Sequence, residues 1–152
     1  MQNENTNPEG RDQMVSVLLS APVAKVWEVF TKPEHIKHWW GPNGFTNTID
    51  KMDVTPGGEW LFAMHSPDGN NYPNQTIFRE VVPHQKLVHE HIGPNFVATI
   101  TFEDLGETTM LNWYKLYETK ELHDIVEIKH NAAAGLLQSI DRLKTYLSDT
   151  NL

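Results

Sequence analysis

From residue 45 to about residue 117, apolar and polar side chains alternate in short blocks, and each block closes on glycine, proline or asparagine. Alternation with period two sends successive side chains to opposite faces of a strand, so the pattern predicts antiparallel strands near 45–53, 58–65, 72–82, 86–92, 95–104 and 108–118. The separators Pro56-Gly57-Gly58, Pro67-Asp68-Gly69-Asn70-Asn71, Pro83-His84-Gln85, Gly93-Pro94-Asn95 and Leu105-Gly106-Glu107 supply the turns of a meander. Ahead of them, Met14-Val15-Ser16-Val17-Leu18-Leu19 reads as one more strand. Ser20 as cap and Pro22 near the first turn then start a helix whose Val23, Val26, Trp27 and Phe30 form one apolar face. Residues 33–40 continue as a second short helix, which Gly41-Pro42 breaks.

After a polar passage, Asn131 stands where it can cap a long helix. Ala133, Leu136, Leu137, Ile140, Leu143, Lys144 and Leu147 recur there at offsets of three and four, and Asp141, Arg142 and Lys144 mark its solvated side. Strand, two short helices, six strands and one long helix do not alternate as a doubly wound parallel sheet does. The order predicts an α+β fold: a curved antiparallel sheet wrapped around a long C-terminal helix, in a single domain over residues 13–149 behind a disordered tail at 1–12.

The apolar faces carry more bulk than a thin sheet requires. Trp60, Phe62 and Met64 alternate along one strand face, and Phe78 and Trp113 fall on others. Either these rings pack solidly on the long helix, or they line a cavity between sheet and helix, open where the short helices meet the sheet rim. Trp39 and Trp40 are adjacent on a helical segment, roughly 100° apart around its axis, so only one enters such a cavity; Trp40 is assigned to it.

Composition narrows the function classes. The 152 residues make one domain's worth of chain, and 12 basic against 20 acidic side chains give a net charge of −8, which repels phosphate backbones and anionic lipid. Cysteine is absent, which excludes disulfides and thiolate chemistry. The polar start at 1–13 lacks the basic and apolar regions of a signal peptide, and no apolar run approaches the ~20 residues of a membrane span, so a cytoplasmic protein is expected.

Candidate chemistry is sparse. His89 and His91 share a strand face and, with Tyr72, are placed to orient a polar end of a bound molecule. The same pair could begin a metal site with His65 or Glu80, but nothing in the spacing requires it. Glu80, His89 and His91 are also the groups available for acid–base work if burial brings their pKa values towards neutrality. Arg79, Glu80 and Lys115 read equally as solvated charges on the outer face of the sheet. No nucleophile elbow, catalytic-triad signature, phosphate loop or metalloprotease helix is present, so no catalytic residue, metal or cofactor is assigned.

These residues, in combination, resemble a known pattern. Ala21-Pro22, Val26-Trp27, Phe30-Thr31, Pro33-Glu34, Trp39-Trp40-Gly41-Pro42, Gly57-Gly58, Met64, Pro67-Asp68-Gly69, Glu80, Pro83, Leu87, Thr101-Phe102 and Thr109 look like the activator of heat-shock-protein ATPase homologue-like family of the START-like, helix-grip superfamily, which also holds the birch-pollen-allergen-like proteins. The resemblance spans about residues 13–149. It departs at Gly135-Leu136, where the family has Gly-Trp, and at Gln75-Thr76, where a glycine is common. It implies binding of a hydrophobic small molecule between sheet and long helix, and the reading of the residues assigns the contacts to Trp40, Trp60, Phe62, Met64, Tyr72, Phe78, His89, His91 and Trp113. Two other classes stay open: a chaperone-activator-like interaction module, although the eukaryotic activators carry a further client domain that this length does not hold, and a cyclase- or hydrolase-type enzyme on an apolar substrate. The expected partner is a small apolar molecule rather than nucleic acid or membrane, with a homodimer left open.

Overall fold

Strand β1 (Asp12–Leu19) leads into helices α1 (Val23–Thr31) and α2 (Pro33–Ile36), and strands β2 (Thr46–Met52), β3 (Glu59–His65), β4 (Asn71–Val82), β5 (Lys86–Ile92), β6 (Phe96–Asp104) and β7 (Thr109–Tyr117) follow. A one-turn helix α3 (Lys120–His123), a π-helical turn (Asp124–Lys129) and the long helix α4 (Ala132–Asp149) complete the computed structural model, which describes residues 10–129 and 131–149. The sheet runs β1-β7-β6-β5-β4-β3-β2, antiparallel throughout. All consecutive strands from β2 to β7 are neighbours, while β1 closes on β7, so the two short helices carry the chain from one sheet edge to the other. This is the α+β helix-grip architecture expected from the order of elements, with its curved seven-stranded sheet, short helices after the first strand and a C-terminal helix.

Of the expected tail at 1–12, residues 1–9 lie outside the described residues. At the other end of that segment the chain is already paired: Asp12 opposes Leu116, and Arg11 donates from Nη1 to the Tyr117 carbonyl at 2.8 Å.

Local departures have plain causes. Pro22, rather than Ser20, is the N-cap of α1; its φ of −65° and ψ of 153° suit a cap, and its carbonyl accepts from Lys25 and Val26 N–H at 3.0 and 3.1 Å. The second helix ends at Ile36, four residues before Trp40, and the chain turns through Trp39 and Trp40 to Gly41. Gly41 has φ +101°, a left-handed conformation that favours glycine, and a Cβ there would fall 2.7 Å from Met64 Cε and push that side-chain end aside. The polar passage after β7 contains α3, capped by the Thr119 hydroxyl, and the π-helical turn. Asn131, with φ +54°, precedes α4 and contributes its carbonyl, which accepts from Gly135 N–H at 3.4 Å.

The core sits between sheet and helices. From β3, Trp60 and Phe62 are buried; Phe78, Leu87, Ile100, Phe102, Leu111 and Trp113 join them from β4 to β7, and Val26, Val29 and Phe30 from α1. Fully burying side chains of this size contributes roughly 1.5–3 kcal/mol each. Helix α4 buries Ile140, Leu143 and Leu147 as its spacing predicts, but also Ser139, while Leu137 is 52% exposed.

Candidate functional site

Trp40 divides the space under the sheet into a solid part and a hollow part. Its ring lies 4.9 Å from Trp60, 5.4 Å from Trp113, and 6.5 Å from both Phe62 and His89. On one side, Trp39 is fully buried against Phe30, and Phe30 packs edge-on against Phe102. On the other lies a cavity of about 460 Å³, within the usual size of small-molecule sites. Bulk on the sheet face therefore goes partly into core and partly into cavity wall.

The sheet supplies most of the wall. Phe62 and Met64 come from β3, Tyr72, Asn74 and Thr76 from β4, His89 and His91 from β5, Phe96 from β6, and Trp113, Lys115 and Tyr117 from β7. The roof is Trp40 to Pro42 with Phe45, Val126 from the π-helical turn, and Ala132, Gly135, Leu136 and Ser139 from the first half of α4. Of the residues named from sequence, seven meet at this wall: Trp40, Phe62, Met64, Tyr72, His89, His91 and Trp113. Trp60 and Phe78 do not line it. They are 2% exposed and stack behind it, with Trp60 at 4.3 Å from Phe62 and 6.2 Å from Phe78. Both departures from the family pattern fall on the wall, as Leu136 and Thr76.

Polar groups at the wall are few and specifically held. His91 Nδ1 lies 2.8 Å from the Pro94 carbonyl, to which it can only donate, and Nε2 lies 2.8 Å from Asn74 Oδ1. Asn74 is oriented by its own Nδ2, which donates to the Tyr72 carbonyl at 2.8 Å. Both ring nitrogens thus face oxygens, an arrangement that only the doubly protonated ring satisfies in full. Burial nevertheless pulls the His91 pKa below its ordinary value; the Pro94 carbonyl opposes that shift and the Lys115 charge adds to it. His89 is 5% exposed, its Nδ1 has no hydrogen-bond partner among the described residues, and burial lowers its pKa to about 4, with His91 adding to the shift.

Of the three charges read as outer-face groups, Arg79 and Glu80 lie there and Lys115 does not. Lys115 is a buried residue with an inward side chain, not an outer-face charge. Alternation from Trp113 puts residues 115 and 117 on the same inner face, and a buried partner compensates the ammonium: Glu127, from the π-helical turn, lies 2.7 Å away. Tyr117 donates its hydroxyl to the same carboxylate, and burial followed by Glu127 raises the phenol pKa. Glu80, left open between the cavity and the outer face of the sheet, points outward. A bulge between Phe78 and Glu80 adds one residue to β4 and flips its parity, so Arg79 pairs with Glu90 at 2.7 Å and Glu80 with Lys86 at 3.3 Å on the exterior. His65 is engaged by Thr48 and Asn71. Neither residue therefore joins the histidine pair, and among the described residues no group of three His, Asp or Glu is arranged to hold a metal ion.

Arg142 is the residue that sequence reasoning misplaced most. It leaves the solvated side of α4 and donates to five backbone carbonyls: Trp40, Gly41 and Pro42 from Nη1, and His38 and Phe45 from Nη2, at 2.9–3.3 Å. Ser139 accepts from Gly41 N–H at 3.1 Å. These bonds fix the loop that carries Trp40 over the cavity.

Residues 20–148 match the family described as Activator of Hsp90 ATPase homolog 1-like protein. The chain belongs to that family. Solved structures share its architecture at low identity. A protein from Nitrosomonas europaea is 26% identical, with 92% of this chain and 96% of that chain covered and a TM-score of 0.83. One from Arthrobacter aurescens is 20% identical, with 96% and 91% covered and a TM-score of 0.88. An AHSA1-like protein from Aeromonas hydrophila is 17% identical, with 90% and 93% covered and a TM-score of 0.73. No curated protein matches. The family's helix-grip fold is consistent with a ligand-binding domain, and among the described residues no helix is long and apolar enough to cross a membrane.

Proposed function

We propose that this domain binds a small, largely apolar molecule in the space between β3–β7 and the first half of α4. The observation that carries the reading is the 460 Å³ cavity itself, walled by Trp40, Phe62, Met64, Phe96 and Trp113. A protein interior otherwise packs to the density of an organic crystal, so apolar space of this size gives up dispersion contacts that a guest restores. Trp60 and Phe78 support the wall from behind, and Tyr72, 48% exposed and 6.2 Å from Phe45, stands at the rim. His89, unpartnered at Nδ1, gives a guest's polar end somewhere to bond, beside the mutually engaged Asn74 and His91.

Native mass spectrometry of freshly purified protein tests this directly. The expected spectrum contains, beside the bare chain, a species heavier by the mass of one small molecule, lost on extraction with organic solvent and regained on adding the extract back. A single bare species that gains no mass from lipid or aromatic extracts counts against the reading.

A further inference from the structure

The chemistry of the cavity wall restricts which apolar molecules it suits. Lys115 is the only cation among the residues that line it, and its ammonium is already matched by Glu127 at 2.7 Å, with the Phe96 and Tyr117 rings 5.5 and 5.6 Å from Nζ. The Tyr117 hydroxyl is spent on the same carboxylate. His91 is committed at both nitrogens, to Pro94 and Asn74. Ser139 bonds the Gly41 N–H and the Trp39 carbonyl. His89 differs from all of these: it lines the cavity, Nδ1 is covered and unpartnered, and no described residue holds its ring by a hydrogen bond. Its neighbours are aromatic, with Trp60 and Phe78 each 6.1 Å away and Trp40 at 6.5 Å.

A neutral imidazole offers one donor and one acceptor, and a half-turn about Cβ–Cγ changes which ring edge meets the cavity. Leaving such a group buried and unpaired is costly, whereas one oxygen placed against the ring nitrogen that meets the cavity removes part of that cost. An ionised carboxylate or sulfonate would meet a neutral ring, an already compensated lysine and aromatic walls, and would lose its hydration without gaining a counter-charge.

We infer that the cavity selects uncharged apolar molecules carrying one hydroxyl or carbonyl oxygen, which hydrogen-bonds to His89. This rests on the ligand-binding reading above and names the chemical class of its guest.

The test uses a matched set of probes, naphthalene, 2-naphthol and 2-naphthoate, titrated at pH 7.5 into the wild-type chain and into His89→Leu and His89→Gln, with tryptophan quenching and calorimetry as readouts. The expected order is 2-naphthol tightest, with naphthalene and 2-naphthoate each weaker by roughly tenfold. His89→Leu abolishes the preference for 2-naphthol over naphthalene while still binding naphthalene, which shows that the variant has kept its cavity. His89→Gln, which retains a donor and an acceptor, keeps most of the preference. Equal affinity for naphthalene and 2-naphthol, or a preference that survives His89→Leu, overturns the inference and leaves the apolar cavity standing. Tightest binding of 2-naphthoate overturns it in favour of an anion site. Binding of none of the three counts against the cavity reading itself.

Discussion

The Lys115 ammonium and the Glu127 carboxylate meet at 2.7 Å with side chains only 10% and 6% exposed, tying the last strand of the sheet to the π-helical turn. The Tyr117 hydroxyl donates to the same carboxylate, and the Gln13 amide, turned with its nitrogen inward, donates to both oxygens at 2.8 Å. Three donors thereby converge on Oε2 of the carboxylate, and the Gln13 amide also reaches Oε1. Lys115 lines the cavity, and its Nζ lies 5.5 Å from the Phe96 ring on the same wall.

Breaking one half of such a pair strands a charge in a low-dielectric setting, at a cost of about 3–5 kcal/mol, whereas removing both halves is close to neutral. Glu127→Leu alone is therefore expected to lower unfolding stability by about 3 kcal/mol or more, and Lys115→Met/Glu127→Leu to recover most of the loss. Urea titration of the two singles and the double measures this. Losses that simply add in the double variant would refute the coupling.

Arg142 holds the chain from His38 to Phe45 through five carbonyls, and lysine cannot replace that grip because its compact ammonium lacks the planar fork. Arg142→Lys is expected to cost about 2 kcal/mol and to shift tryptophan emission to the red as Trp40 is released into solvent. An unchanged emission maximum would mean that the loop is fixed by other contacts, such as Asn47 Nδ2 to the Trp40 carbonyl at 2.9 Å.

The buried imidazole of His89 makes stability depend on pH in a defined direction. Its pKa is 6.5 as an ordinary side chain and about 4 in the fold, so between those values the unfolded chain binds the extra proton and the folded one does not. The contribution is fully present above pH 6.5 and is lost as pH falls towards 4, by about 2 kcal/mol at pH 5. His91, also shifted down, acts in the same sense. The urea midpoint is expected to stay level from pH 8 to 7 and to decline below 6.5, with a shallower decline in His89→Phe. Parallel declines in the two proteins would exclude His89 as the source.

Much of this was legible in the chain, for reasons that particular residues show. The strand limits followed from parity and turn residues, and the inward face Trp60, Phe62, Met64 is what alternation requires. Parity also carried the information about Lys115 and Tyr117, two and four residues beyond Trp113, but a lysine reads as solvated unless its buried counter-charge is known. Glu127 lies in a π-helical turn that has no periodic signature. The face of Glu80 stayed open because a bulge changes parity without marking the sequence, and Arg142 was misplaced because its partners are backbone carbonyls, which every loop has. Which rings are wall and which are support depended on where Trp40 came to rest, a tertiary matter set by Arg142 and Gly41.

The central claim, a cavity that admits an apolar guest, is tested most directly by filling it. Leu136 borders the space from α4, and a larger side chain there reaches into it. Titration of N-phenyl-1-naphthylamine, an uncharged fluorescent probe, into the wild-type chain and into Leu136→Trp is expected to give saturable one-to-one binding in the first and at least tenfold weaker binding in the second, with no fall in the urea midpoint. Equal binding by both proteins, or no saturable binding by the wild-type chain, would contradict the account.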